Sequence, residues 1–246
     1  MSSLLRKYWY LTAVALLVFA SASSFAQTTT VANANVGNAT VVGNVYVDPY
    51  TATVGGVNST YVICDDWSDN TYIGESWTAN VGTIGSTLTG TPLFGNQPQV
   101  YAEAAWLATQ LLANPTNQTL QAEISFAIWE LTYPYAPHPE SPGPTAYLAG
   151  LTASGIPGLT ASAIQSAISG TPSSIGLLAQ ANAAVNGGYT GSGWEILTPV
   201  VGTPGPPQEF LVYTPESSAL ILFGADMLGL AALAFFFRRR LVQTEI

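Results

Sequence analysis

Residues 60–81 of the chain read TYVICDDWSDNTYIGESWTANV. The apolar run at its start, STYVIC at 59–64, alternates as a β-strand does and follows two similar runs, ATVVGNVYV at 39–47 and TATVGG at 51–56. Val, Thr and Tyr fill these runs while Gly, Pro and Asn separate them, a pattern typical of antiparallel strands and turns. We therefore predict a β-rich region over residues 28–89.

Two segments after this region have the periodicity of helices. VYAEAAWLATQLLA at 100–113 and LQAEISFAIWELTY at 120–133 place apolar residues three to four positions apart. Asn117 or Thr119 is expected to cap the second helix. A short link separates the segments, which predicts an antiparallel helix pair.

The remaining segments alternate between loop, helix and strand. Five prolines within 134–144 predict a stiff loop, and alanine-rich runs predict weaker helices at 161–169 and 174–185. Strand texture returns at 194–200 and 208–213.

The order of strands, helices and strands predicts an α+β fold. We expect a single β-rich ectodomain over residues 27–213, with a helical insert at about 97–187. Fewer than 190 residues remain once the two terminal segments are set aside, enough for one hydrophobic core.

Both ends of the chain have the pattern of membrane-directed segments. Residues 1–26 form a secretory signal pattern that predicts cleavage between Ala26 and Gln27. At the other end, residues 217–237 are apolar and long enough to cross a bilayer once as a transmembrane helix. Three arginines, Arg238, Arg239 and Arg240, follow directly and predict that the ectodomain lies outside the cell. Residues 241–246 would form a short cytoplasmic tail.

Charge is distributed very unevenly along the chain. All five Lys and Arg residues lie in the two terminal segments, whereas residues 27–214 hold eleven acidic residues and one histidine, His138. Nucleic acid is therefore excluded as a partner, because phosphate binding needs Lys and Arg. No Lys or Arg ion pair can stabilise this region, so its folding must rest on apolar burial and neutral hydrogen bonds.

The sequence offers few groups for catalysis. No zinc, redox, nucleotide or nucleophile-elbow motif occurs, and His138 lies among prolines as a solvated loop residue would. The single cysteine, Cys64, cannot form an internal disulfide. We predict a non-enzymatic protein without a cofactor.

Two ligand hypotheses arise from residue types alone. Asp65, Asp66 and Asp69 could supply oxygen ligands to calcium, but they lack the spacing of an EF-hand loop, which favours turn-forming carboxylates and no metal. The five tryptophans beyond residue 26 could line a neutral-polysaccharide surface, although their apolar spacing favours core packing.

Two motifs resemble a known domain type. Residues 60–81 and SFAIWELTYP at 125–134 resemble the Cys-containing strand and the Q-x-A-I-W-E helix of thioester-type domains in bacterial surface proteins, where that Cys and that Gln form an internal thioester. Here Cys64 occupies the cysteine position and Ser125 the glutamine position. Serine has no amide carbonyl for a thiolate to attack, so the resemblance implies the scaffold without the bond.

The C-terminal segment also resembles a family signal. Pro215 and Glu216, the apolar helix and the arginine cluster resemble the PEP-CTERM sorting signal of exosortase-processed bacterial proteins, with Ser217 where that motif usually has proline. The resemblance implies an exosortase-type sorting enzyme as partner. It also implies export, transient insertion in the inner membrane, and delivery to the cell surface or extracellular matrix.

These features together predict an exported, non-enzymatic surface or matrix protein. A carbohydrate-binding surface module is the alternative, and a thioester-type adhesin is the third hypothesis, disfavoured by Ser125.

Overall fold

The computed structural model describes residues 27–35, 40–200 and 207–214, together with positions 227, 229 and 230. Within these ranges the chain forms ten strands and five α-helices. The strands are β1 (Gln27–Asn35), β2 (Val41–Val42), β3 (Val45–Tyr46), β4 (Tyr50–Val54), β5 (Val57–Cys64), β6 (Trp77–Thr83), β7 (Gly170–Thr171), β8 (Ser174–Ile175), β9 (Trp194–Pro199) and β10 (Phe210–Tyr213). The helices are α1 (Pro98–Ala113), α2 (Gln118–Thr132), α3 (Pro144–Gly150), α4 (Ala161–Ser169) and α5 (Leu177–Asn186).

Six strands close into an antiparallel barrel in the order β1, β4, β5, β10, β9, β6. The last strand, β6, pairs with β1 again, with Gln27 opposite Val81 and Val31 opposite Trp77. Two strands far apart in sequence, β5 and β10, lie side by side with Cys64 opposite Phe210. The C-terminal strands therefore complete the barrel that the N-terminal strands begin.

One side of the barrel lies under the helices. In β10 the consecutive residues Phe210, Leu211 and Val212 are all buried, which requires that both faces of the strand be covered. The end of β5 is buried in the same way. Barrel and helices share one hydrophobic core, so the helices stabilise the barrel through side-chain packing.

The first two helices agree with the sequence periodicity. Asn117 caps α2, and its Oδ1 accepts a hydrogen bond from the Leu120 N–H at 3.1 Å. The interior positions Ile124 and Ile128 of α2 are fully buried. Helices α1 and α2 pack against each other.

Two local predictions were wrong. The proline-rich segment is not loop throughout, because Pro144 begins α3, where its fixed φ suits the first helical turn. The helix predicted at 174–185 begins instead at Leu177. Residues 174–175 pair with Gly170–Thr171, and Gly170 has φ +85° with Gly176 N only 2.6 Å from where a Cβ would lie.

The α+β class with a β-rich body is confirmed, whereas closure of the strands into a barrel was not predicted. No helix in the described ranges is long and apolar enough to cross a membrane. The signal peptide predicted at 1–26 lies outside the described residues, as do the arginine cluster, residues 241–246 and all but three positions of the segment predicted at 217–237.

Candidate functional site

Cys64 ends strand β5 beneath helix α2. Its side chain is buried, and the Sγ donates a hydrogen bond to the Asp66 carbonyl at 3.1 Å. Burial raises the pKa of the thiol well above its usual value, and the nearby Asp66 and Asp65 carboxyls raise it further. A thiol that is both buried and protonated is a poor nucleophile.

The groups aligned with a thioester partner are engaged elsewhere. Ser125 Oγ donates to the Val47 carbonyl at 2.6 Å. The Gln121 amide accepts from Thr40 Oγ1 at 3.2 Å and donates to the Pro115 carbonyl at 3.0 Å. These contacts hold both side chains to neighbouring loops and strands, not to the thiol.

The tryptophan of the second motif does contact the cysteine strand. Trp129 Nε1 donates to the Cys64 carbonyl at 3.1 Å. Thr132 Oγ1, one turn later on α2, donates to the Asp65 carbonyl at 2.6 Å. Helix α2 therefore fixes the backbone at the end of β5. The segment that follows, residues 65–76, is called the acidic loop.

Three carboxyl side chains in this region are fully buried: those of Asp65 and Asp66 in the acidic loop, and that of Glu209. Glu209 is well bonded, because Oε1 accepts from Tyr101 Oη at 2.5 Å and Oε2 accepts from the Leu93 N–H at 2.8 Å and from Thr198 Oγ1. These bonds join β10 to α1, to the loop before α1 and to β9.

Asp65 lies in a different environment from Glu209. Neither oxygen of its carboxyl group has a hydrogen-bond partner on another described residue. Burial raises the pKa of Asp65 well above its usual range, and the charges of Glu209 and Asp66 raise it further. An uncharged carboxyl is the form that such a site accepts, because an unpaired buried charge is far more costly.

The pKa values of the other two buried carboxyls are also raised. Burial raises the pKa of Glu209 to about 7, against the lowering effect of its three hydrogen bonds. Burial likewise raises the pKa of Asp66 to about 7, although the Ser68 N–H that bonds its Oδ1 at 2.8 Å opposes this. No Lys or Arg lies between residues 27 and 214 to compensate these groups, so their raised pKa values favour the protonated form more strongly than in an ordinary carboxyl.

The three calcium candidates do not form one ligand set. Asp65 faces Glu209 in the interior, Asp66 makes the turn contact to Ser68, and Asp69 lies at the edge of a cavity. Within the described ranges, no three His, Cys, Asp or Glu side chains are grouped so that they could hold a metal ion.

That cavity, of about 330 Å³, is the candidate functional site; we call it the aromatic pocket. It lies between the acidic loop that follows β5, the β2–β3 hairpin and the segment before α3. Its aromatic lining consists of Tyr46, Tyr50, Trp67, Tyr72, Trp129 and Tyr147. Its polar lining includes Asn44, Asp69, Asn70, Glu140 and Gln208.

Trp67 is partly buried, and contacts with neighbouring residues hold its ring in place. Its Nε1 donates to the Pro142 carbonyl at 3.0 Å, and its ring centroid lies 5.2 Å from those of both Trp129 and Tyr147. Tyr72, by contrast, is 71% exposed. The pocket thus combines a fixed aromatic ring with a solvent-facing one.

Two carboxylates share this pocket, Asp69 and Glu140. Partial burial raises the pKa of Asp69, and the charge of Glu140 raises it further, while interactions with Asp66 and His138 lower it. His138 is exposed and lies two residues before Glu140. The pocket therefore combines aromatic walls with two acidic side chains, of which Glu140 is exposed and Asp69 partly exposed.

A second cavity, of about 460 Å³, differs in its chemistry. Its lining includes one aromatic residue, Tyr61, and one carboxyl residue, Asp48. It also contains Gln121, whose amide is already hydrogen bonded. The cavity offers neither a group of aromatic faces nor a pair of carboxylates.

The remaining predicted positions are distributed as follows. Trp77, Trp129 and Trp194 are buried in the core, while Trp67 and Trp106 are partly buried against it. Gln27 is the first residue of β1, and Ala26 lies outside the described residues. The sorting positions Pro215, Glu216 and Ser217 also lie outside them, as do Arg238, Arg239 and Arg240.

Sequence reasoning missed Glu209, Tyr101 and Glu140. Glu209 stands directly before an apolar strand, a position usually solvated, and nothing near it in sequence indicates burial. Glu140 lies more than seventy residues from Asp69, so only the fold brings them to one pocket. No protein family, curated protein or solved structure matches the chain.

Proposed function

We propose that this chain is a non-enzymatic, exported protein of the cell surface or extracellular matrix. The observation that carries the proposal is the charge distribution, because every Lys and Arg flanks an apolar terminal segment and none lies between. Arg6 and Lys7 precede the apolar run of the signal pattern, and the arginine cluster follows residues 217–237. This arrangement is what Sec export followed by insertion with the ectodomain outside requires.

The sorting step is part of the same proposal. Pro215 and Glu216 would be the positions read by an exosortase-type enzyme, after transient insertion in the inner membrane. They are substrate residues, not catalytic ones. The absence of a catalytic motif and the buried, hydrogen-bonded state of Cys64 support a non-enzymatic role for the ectodomain.

The mature C-terminus tests this proposal. In an exosortase-positive host, mass spectrometry of the exported chain should find its end near Glu216, and a Glu216→Ala variant should keep the apolar segment. Thr214→Ala is the matched control, because it lies beside the motif without changing it. A wild-type chain that keeps residues 217–246 in that host would show that the segment is only an anchor.

A second function, carbohydrate binding, is favoured by the aromatic pocket. Neutral sugars bind by stacking ring faces on aromatic side chains and by hydrogen bonding to carboxylates and amides. The pocket supplies Trp67 and Tyr72 for the first and Asp69 and Asn70 for the second, while the Gln208 amide that also lines it already donates to the Asp66 carbonyl at 2.7 Å. A surface protein that holds a polysaccharide would suit the proposed location.

Glycan binding by the full chain tests this second function. We expect Trp67→Ala to abolish binding and Trp106→Ala, outside the pocket, to leave it intact, provided circular dichroism shows both variants folded. If the two variants bind the glycan equally, the aromatic pocket is not a glycan-binding site.

A thioester-type adhesin is supported least. Ser125 and Gln121 are both bonded away from Cys64. The intact mass of the chain should therefore equal the sum of its residues, without the loss of one ammonia that a thioester would produce.

A further inference from the structure

The part of the chain that the structure describes contains no Lys or Arg to neutralise the two carboxylates of the aromatic pocket. Asp69 and Glu140 interact closely enough for the charge of one to raise the pKa of the other. The lone histidine, His138, is the sole basic side chain between residues 27 and 214, and it is exposed beside Glu140. Two like charges facing one cavity repel each other, and a positively charged ligand would relieve that repulsion.

The described residues behind the pocket are acidic as well. Asp66 interacts with Asp69 through its carboxyl group, and Asp65 and Glu209 lie deeper in the same interior. All three are fully buried. These three groups therefore bring no positive charge to Asp69 and Glu140. His138, which acts on Asp69 but does not line the cavity, is the one described side chain that can carry such a charge, so a cationic ligand would further relieve the repulsion between the two carboxylates.

The aromatic walls favour the same sign of charge. An ammonium group over the face of a Trp or Tyr ring is attracted by the ring quadrupole. Trp67, held by the Pro142 carbonyl at 3.0 Å, and the exposed Tyr72 offer such rings in the cavity that contains both carboxylates. Aromatic faces alone would accept any sugar ring, whereas aromatic faces with paired carboxylates discriminate by charge.

From this arrangement we propose that the aromatic pocket selects an amino sugar with a free ammonium group, such as a glucosamine unit of a polysaccharide. The sugar ring stacks on the aromatic side chains, and its ammonium group interacts with Asp69 and Glu140. The cavity volume of about 330 Å³ lies within the range of small-molecule sites, roughly 300–1,000 Å³. This inference rests on the carbohydrate-binding function proposed above and specifies its ligand.

Calorimetric titration of the full chain tests the proposal. A polyoxyethylene detergent keeps the chain in solution without offering a sugar or a quaternary ammonium head group to the pocket. The probes are a glucosamine oligomer, an N-acetylglucosamine oligomer of the same length and a linear alkyl diamine. The first two share a ring and differ in charge, and the third carries the charge without the ring.

We expect the glucosamine oligomer to bind at least about ten-fold more tightly than the acetylated one, the size of one charge-assisted hydrogen bond. The preference should shrink as salt is raised from about 0.05 to about 0.5 M, because the carboxylates are open to solvent. Neutralising them with Asp69→Asn and Glu140→Gln should bring the two affinities together. Glu123→Gln, which removes one carboxylate on α2 outside the pocket, should leave the preference intact and is the control for each single variant.

The possible negative results distinguish a failure of the charge selection from a failure of carbohydrate binding itself. Equal binding of the two oligomers by the wild-type chain overturns the charge selection and leaves carbohydrate binding standing. A diamine that binds as tightly as the glucosamine oligomer overturns the inference in favour of a simple ammonium site. Failure of every oligosaccharide to bind overturns both proposals.

Discussion

Carboxyl groups of two kinds lie within one short stretch of this fold. Asp65, Asp66 and Glu209 are fully buried, whereas Asp69 and Glu140 are at least partly exposed and line the aromatic pocket. Asp66 and Asp69 are three residues apart and their carboxyls interact. The difference between the groups is burial, not residue type, and burial decides which group serves the fold and which is available to a ligand.

Removing a buried carboxyl should have the largest effect on stability. Glu209→Ala leaves the Tyr101 hydroxyl, the Leu93 N–H and the Thr198 hydroxyl without their acceptor, which should cost about 3–5 kcal/mol in the free energy of unfolding. Chemical denaturation checks this. Glu209→Gln, which keeps the shape and one acceptor oxygen, should cost less, and Glu140→Gln in the pocket should leave the unfolding midpoint unchanged. Equal losses of stability in Glu209→Ala and Glu140→Gln would contradict the distinction between buried carboxyls and pocket carboxyls.

The pH dependence of stability should be the next largest effect. The folded pKa of Asp66 and of Glu209 is about 7, above the value of about 4 in an unfolded chain. Between these values the folded protein binds more protons than the unfolded chain, so stability falls as pH rises through that window. We expect each of the two carboxyls to contribute a loss of about 2–3 kcal/mol between pH 5 and pH 8. A protein that becomes more stable over this interval would contradict protonated buried carboxyls.

A neutral substitution at the unpartnered carboxyl sharpens the same point. Asp65→Asn should raise stability more at pH 8 than at pH 5, because the unfolded chain loses the proton of Asp65 readily while the folded protein must keep it or bury an unpaired charge. Thermal unfolding at both pH values measures this. Asp69→Asn is the matched control and should show a smaller pH-dependent gain, because Asp69 is only partly buried.

Exposed pocket aromatics should affect binding and not stability. Tyr72→Ala should change the free energy of unfolding by less than about 0.5 kcal/mol, since the side chain is 71% exposed. It should nevertheless weaken oligosaccharide binding several-fold through the lost stacking surface. Tyr61→Ala, also an exposed tyrosine but outside the aromatic pocket, should leave binding unaltered.

The sequence predicted the elements better than their assembly. Alternation in STYVIC and helical spacing in 100–113 and 120–133 are local signals, and the structure places strands and helices there. Barrel closure depends on pairing β5 with β10, almost 150 residues later, and no local pattern specifies such a register.

The candidate site was predictable only in part. Asp65, Asp66, Asp69 and Cys64 were singled out because they stand together in sequence. Their separation into interior and pocket depends on Glu209 and Glu140, which are brought near by β10 and by the segment before α3. Residue types in the sequence therefore indicated which side chains to consider, but only their burial in the folded protein separates structural carboxyls from pocket carboxyls.

Carboxyl-carbon NMR of the full chain, recorded as a glucosamine oligomer is added, tests the division between the two groups most directly. We expect the side-chain carboxyl resonances of Asp69 and Glu140 to shift with ligand while those of Asp65 and Glu209 stay in place. Shifts at Asp65 and Glu209 without shifts at Asp69 and Glu140 would contradict this division between buried and pocket carboxyls.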